Sequence, residues 1–497
     1  MSERENTLDL TSIKKGGVYM RSYETVIGLE VHVELATKSK IFCGCSTQFG
    51  GSPNTQCCPV CTGMPGTLPV LNKKVVEYAM AVGLATNCTI TQQCKFDRKN
   101  YFYPDLPKAY QISQLYLPIC CKGYIEIEIE EVKKKIGIYE IHMEEDAGKL
   151  IHDSDCTLVD YNRCGIPLIE IVSEPDMRNS AEVIAYLEKL KLILEYLGVS
   201  DCKMQEGSMR VDINLSIREV GALELGTRTE MKNMNSFKAI ARAIDGERKR
   251  QIEVLDAGKR VIQETRRWDD NNITSFAMRS KEDAKDYRYF PEPDLVPIVI
   301  SKEWISQIKS RQPELRDDKM KRYQKEYHIP AYDAAIITSH KKLSDLFEAC
   351  VAICNKPKEV SNWIMVETMR LIREMEVEVE NLKLSPEKLA LLIQLIDTGK
   401  INRTVAKEVF EQIFTYNIEP EEYMKEHDLL MVNEDNLIRE SIQKVLKENP
   451  KSVEDYHNGK EKAIGFIIGK TMKEMKGKAN PGLINQIVKE YLDAHYV

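Results

Sequence analysis

A chain of 497 residues, 43% apolar and 30% charged, has the make-up of an ordinary globular protein and room for roughly three domains of about 150 residues each. Its net charge of −7 and pI near 5.8 exclude a whole-chain basic footprint, so any nucleic-acid contact must use a local patch. No run of about 20 apolar residues offers a membrane span, and the first 20 residues hold no apolar signal core, so the 14 cysteines are expected as reduced thiols in a cytoplasmic protein.

Residues 1–21 read as a flexible N-terminal extension, with Met20 as an alternative start. Leu29, Val31, Val33 and Leu35 then alternate with Glu30, His32 and Glu34, the period of a strand with one apolar face and one face of metal-ligand types. A helix is predicted over Lys73 to Ala85. Between Lys95 and Pro104, basic and aromatic side chains interleave, a composition that suits stacking on unpaired bases or, equally, a packed Pro-rich loop. Alternating runs at Tyr124 to Glu130 and Met209 to Leu215 read as half-buried strands. Helices follow over Ser180 to Leu197, with Ser180 as N-cap and Gly198 as stop, and over Phe237 to Asp256.

The pattern changes near Pro291 and Gln312-Pro313, beyond which helical periodicity takes over. The expected architecture is therefore an α+β domain on a largely antiparallel sheet over 22–312, followed by two all-helical domains over 313–427 and 428–497. Ser385 followed by Pro386 is a helix-start signal in the first of these. In the second, Lys460 to Lys489 holds seven lysines against Glu461 and Glu474.

Four groups of residues carry chemistry. Cys43, Cys45, Cys58 and Cys61 offer four thiolates for a tetrahedral zinc site that staples the loop 43–61, with Cys57 as the spare; free thiols or a redox pair remain the alternatives. Glu30, His32 and Glu34 form a polar strand face that by itself can simply meet water. Glu170, alone in the apolar run Ile166 to Val172, loses hydration there and needs a metal or a basic partner. Glu144, Glu145 and Asp146 precede Ala147-Gly148-Lys149, where the lysine either meets phosphate or is a turn residue. Arg163 and Arg210 can clamp phosphate or serve ordinary ion pairs. Together the three acidic segments point to a magnesium site. Gly465 to Thr471 is rejected as a phosphate loop, because three residues rather than four separate its glycines and Phe-Ile-Ile fits a helix interior. No amidase triad is visible.

Several long segments closely resemble the B subunits of aspartyl/glutamyl-tRNA amidotransferases. They are Val26 to Leu35, Lys95 to Gln114, His142 to Lys149, Pro167 to Asp176 and Asp286 to Asp294, with Gly477 to Pro481 resembling the family's C-terminal domain. About 20 residues precede the family's usual start, and the cysteine cluster resembles a zinc site found in some members only. The resemblance implies a catalytic cradle domain similar in fold to glutamine synthetase, and an ATP-dependent ligase reaction. The side-chain carboxylate of Glu-tRNA(Gln) or Asp-tRNA(Asn) is phosphorylated, then amidated with ammonia from glutamine. It further implies a heterotrimer with an amidase (the A subunit) and a small third partner (the C subunit), with the helical tail touching tRNA(Gln) or tRNA(Asn). By motif, Glu145, Glu170 and Lys149 are the expected catalytic residues. His32, Glu145 and Glu170, then Glu30 and Glu144, are the expected magnesium ligands; Lys99, Arg163 and Arg210 are expected at ATP phosphates. Lys470, Lys473, Lys476 and Lys478 are the expected tRNA patch. The competing readings are a non-catalytic tRNA-binding scaffold and a stand-alone glutamine-synthetase-like ligase acting on a free amino acid.

Overall fold

A computed structural model describes residues 22–280, 287–431, 435–458, 460, 462–475 and 481–494. The expected extension over 1–21 lies outside them. The chain divides into two compact units, Met1–Leu315 and Arg316–Val497.

The described residues of the first unit hold sixteen strands in chain order: β1 (Tyr23–Glu34), β2 (Thr89–Ile90), β3 (Gln93–Cys94), β4 (Asp97–Asn100), β5 (Tyr110–Ser113), β6 (Cys120–Ile129), β7 (Val132–Glu145), β8 (Lys149–His152), β9 (Thr157–Asp160), β10 (Pro167–Ser173), β11 (Met209–Glu219), β12 (Thr229–Lys232), β13 (Glu264–Asp269), β14 (Thr274–Ser280), β15 (Phe290–Pro291) and β16 (Ile298–Val299). Nine of them form one sheet in the order β14-β13-β12-β11-β1-β10-β7-β6-β2. Among the described residues only the β12–β13 pair is parallel, so the α+β architecture with a largely antiparallel sheet stands.

The alternation in β1 sets the sheet's two faces. Val31 and Val33 are fully buried and Leu29 nearly so, whereas Glu30, His32 and Glu34 point the other way. Three helices cover the apolar face: α1 (Lys73–Ala85), α2 (Ser180–Leu197) and α3 (Phe237–Asp256), each with the expected bounds. One cap differs. Asn179, not Ser180, is the N-cap of α2: its backbone is extended and its side chain accepts from the Glu182 N–H, which leaves Ser180 as the first helical residue. Gly198 ends α2 at φ +66°, a left-handed conformation that glycine takes without a Cβ penalty.

Helix α3 shows why a highly charged sequence can still pack. Ala239, Ile240, Ala243 and Ile244 supply its apolar stripe, and Glu247 and Gln251 continue that stripe one and two turns on, buried. Glu247 is satisfied there by Thr229 Oγ1 at 2.8 Å, Gln251 Nε2 at 2.9 Å and Arg250 Nη2 at 2.6 Å. This buried network fastens α3 to β12.

A smaller sheet, β15-β4-β5, lies against β7. Gln111 of β5 donates to the Glu145 backbone carbonyl at 2.8 Å, and the Ile112 N–H donates to Glu145 Oε1 at 2.9 Å.

The second unit is helical throughout its described residues. One core gathers residues between Tyr323 and Met424, including Phe347, Leu389 and Phe410; another gathers Ile438, Ile467, Ile484 and their neighbours. Ser385 caps the helix Pro386–Asp397 as its sequence predicts. No helix among the described residues is long and apolar enough to cross a membrane.

Candidate active site

The polar face of the large sheet carries a row of side chains across four strands. His32 of β1 lies opposite Arg210 of β11 on one side and Glu170 of β10 on the other, and Glu170 lies opposite His142 of β7. Because residues opposite one another in neighbouring strands share a face, the register alone aims all four at one place. His32 Nε2 is 3.3 Å and His142 Nε2 is 3.1 Å from Glu170 Oε2. Glu144, two residues beyond His142, places Oε1 3.7 Å from His32 Nε2 and Oε2 3.7 Å from His142 Nε2. Burial alone would raise the Glu170 carboxyl; the two histidines outweigh it and hold it well below the usual range. At His142, burial alone would lower the imidazole, but Glu170, Glu140 and Glu144 outweigh it and keep it well above its ordinary value.

Donor atoms of His32, Glu144 and Glu170 lie within 4.8 Å of one another, so one cation can be shared by all three. Two carboxylates and one imidazole, with Glu144 nearly buried, form an anionic donor set that suits a hard divalent ion. Three of the expected magnesium ligands are thus brought together. Glu145 is not among them. Neighbours on a strand face opposite ways, so Glu145 turns to the far side of β7, where it pairs with Lys108 and accepts from the Ile112 N–H. Sequence reasoning misses His142, although its spacing of two from Glu144 places it on the right face.

Glu30, the remaining expected ligand, belongs to a second acidic group with Asp212 and Glu230. Asn214 donates to Glu30 at 2.8 Å, and Lys232 pairs with Asp212 at 2.5 Å and with Glu230 at 2.9 Å. Burial, then Glu170, pushes the Glu30 carboxyl up. Glu230 and Lys232 sit in the short run Glu230-Met231-Lys232, too brief to be singled out before its pairing partner is known.

Beside His32 opens a cavity of about 580 Å³ whose walls include Arg210, Lys232, Arg267, Asn233, Met209 and Met278. Arg210 gives one guanidinium nitrogen to Asp146 at 2.9 Å, yet its Nε is buried without a hydrogen-bond partner. Such an orphan donor calls for an acceptor. Arg163 faces differently: its guanidinium is taken up by the carbonyls of Ala147 and Gly148 at 3.0 and 2.7 Å, so it braces the turn after β7. Lys149 opens β8 at an exposed position, lining neither the cluster nor the cavity. Lys99 of β4 has its ammonium 4.9 Å from the centre of the Tyr287 ring, and Glu144 is the leading charge that keeps it protonated against burial.

The four-cysteine group assembles as its spacing suggests, with the thiols of Cys43, Cys45, Cys58 and Cys61 within 4.8 Å of one another. None of the 14 cysteines is in a disulfide. The Cys58 N–H donates to Cys61 Sγ at 3.1 Å, and the fully buried Lys40 ammonium lies 3.6 Å from the same sulfur. Its bond with Cys43, these donors and Lys40 together bring the Cys61 thiol down to about 4 against burial. Four convergent sulfurs with a buried cation beside them fit a thiophilic ion such as zinc.

In the tail, Lys470 and Lys473 are exposed on the helix Lys462–Glu474, while Lys476 and Lys478 lie outside the described residues. Residues 465–471 are helical, as the rejection of a phosphate loop there requires.

Residues 25–306 match the family described as the GatB/GatE catalytic domain, and residues 345–492 match the GatB domain. The chain is 74% identical over 475 residues to the B subunit of the aspartyl/glutamyl-tRNA(Asn/Gln) amidotransferase of Lachnoclostridium phytofermentans, covering 95% of this chain and 99% of that protein. It is 66% identical to the protein of the same name from Agathobacter rectalis over 95% of this chain and 100% of that one. Against the one from Caldicellulosiruptor bescii the identity is 59%, over 95% of this chain and 99% of its relative.

Proposed function

Since this chain belongs to the family of aspartyl/glutamyl-tRNA(Asn/Gln) amidotransferase B subunits, we propose that the polar face of its large sheet is where the carboxylate of the misacylated tRNA is phosphorylated and amidated. The chain is one component of a tRNA-dependent amidotransferase. It works with the A and C subunits and with tRNA, as the name of its relatives implies. Free-standing action on an amino acid leaves the partnership without purpose.

A carboxylate resists attack by ammonia because its leaving group would be oxide. In the reaction proposed here a side-chain oxygen of the bound glutamate or aspartate attacks the γ-phosphorus of ATP. The bond to the β,γ-bridging oxygen breaks and ADP leaves. Ammonia from the amidase partner then adds to the acyl carbon, inorganic phosphate leaves, and the proton lost by nitrogen ends on that phosphate. His32, Glu144 and Glu170 hold magnesium, with Glu30, Asp212 and Glu230 as the neighbouring acidic group. Magnesium supplies charge neutralisation between two anions that must approach each other. Arg210, which walls the cavity with Lys232 and Arg267, meets the phosphate oxygens of ATP, whereas Lys99 lines no part of that cavity. Glu145 serves by fixing β5 against β7 rather than as a ligand. Residues 22–312 form the catalytic cradle, 313–427 a helical domain, and 428–497 the tail that touches tRNA through Lys470 and Lys473. Zinc in the four-cysteine loop is structural. Charged tRNA places the reaction in the cytoplasm, where thiols stay reduced.

The observation that carries this reading is the cross-strand row His32–Glu170–His142 with Glu144 beside it, opening onto a cavity walled by three cations. It is tested on the assembled trimer with Glu-tRNA(Gln), glutamine or ammonium as nitrogen donor, with and without ATP. Conversion from both donors should need ATP, and Glu170→Gln should abolish both. Full ATP-dependent conversion by an intact Glu170→Gln trimer would make this chain a scaffold.

A further inference from the structure

The metal cluster has two flanks of different chemistry. On the β11–β14 side lies the basic cavity. On the β7 side stands the small sheet β15-β4-β5, which carries aromatic residues from two distant segments. Tyr101 follows β4, and Tyr287 and Tyr289 precede β15. Tyr101 and Tyr287 meet edge to face at 5.8 Å between ring centres, Tyr287 and Tyr289 at 6.1 Å. Lys99 lies over two of these rings, 4.9 Å from Tyr287 and 5.9 Å from Tyr101. Among the described residues no carboxylate comes within ion-pair distance of its ammonium. Ser113 of β5 donates to Glu144 Oε2 at 3.3 Å, so the small sheet that carries the wall stands at the cluster's edge.

The wall is held rigidly from behind. The Asn100 N–H donates to the Tyr287 carbonyl at 2.9 Å and its side chain to the Arg288 carbonyl at 2.7 Å. Arg98 grips the buried Glu292 with two bonds of 2.7 and 2.9 Å and lies 4.2 Å from the Tyr110 ring centre. Next along the chain, Phe102 and Tyr103 are 74% and 52% exposed, and Phe290 is 42% exposed. Tyr101, Tyr287 and Tyr289 are themselves half-buried, and these exposed rings continue their wall into solvent, where large aromatic side chains are candidates for recognition.

In-line phosphoryl transfer needs donor and acceptor on opposite sides of the transferred group. The cation-rich cavity suits a triphosphate. The aromatic flank, with a single unpaired cation, suits an unstacked base and its phosphodiester, because any base offers a face to stack on. We propose that Tyr101, Tyr287 and Tyr289, with Lys99, receive the 3′-terminal nucleoside of the charged tRNA, on the flank of the cluster opposite the nucleotide cavity. This rests on the phosphoryl-transfer reading above and says where the acceptor enters.

The experiment uses the assembled trimer and tRNA whose terminal adenine is replaced by 2-aminopurine, a base whose fluorescence is quenched when it stacks. The wild type and Tyr287→Phe should quench it. Tyr287→Leu should lose the quenching and raise the KM for charged tRNA about 5- to 150-fold, the loss of one base–aromatic stack, while the KM for ATP moves less than about two-fold. Tyr101→Leu supplies the same reading should Tyr287→Leu fail to assemble. Retained quenching with an unchanged KM for tRNA would overturn the proposal. So would a rise in the KM for ATP alone, which would put the nucleotide on this flank. An inactive wild type that still quenches the probe would refute phosphoryl transfer at the cluster but not the stacking wall, so the two failures are separable.

Discussion

Glu144 and Glu145 are adjacent in sequence, chemically identical, and on opposite faces of β7, so Glu→Gln at each position separates catalysis from stability. Glutamine keeps the size of the side chain and removes its charge. Glu144 lies 3.7 Å from both His32 and His142. At such separations a pair of unit charges interacts by about 4 kcal/mol at an effective dielectric near 20, and at about 1.4 kcal/mol per factor of ten this is roughly three orders of magnitude in cation affinity. Glu144→Gln should therefore push the magnesium concentration for half-maximal, ammonium-driven conversion of Glu-tRNA(Gln) beyond practical reach, with a near-native melting temperature. Glu145→Gln should do the reverse. Its partner Lys108 is only 10% exposed, and Glu145 itself 4%. Stranding a buried partner costs about 3–5 kcal/mol. At about 2–4 °C per kcal/mol, the melting midpoint falls by roughly 10 °C, with little change in the magnesium requirement. The assay pairs a magnesium titration of the trimer with a thermal melt of each variant. A shifted magnesium midpoint in Glu145→Gln alone would refute the strand parity on which the site assignment depends.

Elemental analysis should find one zinc per chain in the wild type and none in Cys58→Ser, whose segment 43–61 should become open to protease, whereas Cys57→Ser should keep both metal and resistance. Burial raises the Asp146 carboxyl, but Arg210 and Arg163 outweigh it and hold it below its ordinary range, so its contribution is present above the unfolded pKa and lost as pH falls through the folded one. Asp146→Asn should thus be less stable by about 3 kcal/mol, with a gap that stays constant from about pH 8 to 5 and closes only below about pH 4 in denaturant melts. Lys470→Ala with Lys473→Ala should weaken tRNA binding and flatten the slope of log affinity against log salt by about 2. An unchanged slope would remove both lysines from the tRNA patch.

The sequence conveys periodicity well and pairing poorly. The bounds of α1, α2 and α3 follow from apolar spacing, and the two faces of β1 from strict alternation. The four thiols are legible because two short spacings leave few other uses for such a set. What cannot be read is register. Nothing local says that His32, Glu170 and His142 stand in one row, because each lies on a different strand and only the antiparallel offsets align them. The same gap explains Glu145, which the family motif puts ahead of Glu144 as a ligand. Glu230 and Lys232 escape because β12 is four residues long and joins the site only through β11. Tyr287 and Tyr289 escape because their partner Tyr101 is far away in the chain.

The four-cysteine loop and the acidic end of β7 are stitched into one unit by backbone and side-chain hydrogen bonds. The Ile41 N–H donates to the Gly165 carbonyl at 3.0 Å, the Gly165 N–H to the Asp146 carbonyl at 2.9 Å, and the Asp146 N–H to the Ile166 carbonyl at 2.9 Å. Asn54, inside the loop, donates to the Val159 carbonyl at 3.0 Å and accepts from the Tyr161 N–H at 2.8 Å, and the Gln56 N–H donates to Asn162 Oδ1 at 2.7 Å. The loop therefore ties down residues 159–166, the stretch that leads into β10. Gly165 sits at φ +76° in the middle of these bonds, where a Cβ would lie 3.4 Å from Cys61 Cβ; space permits it and the backbone conformation does not. Asp146, held by the same strap, fixes Arg210, and Arg210 lines the cavity. Opening the cysteine loop should thus loosen an arginine three hydrogen bonds away from Ile41, without any cysteine having to touch a substrate.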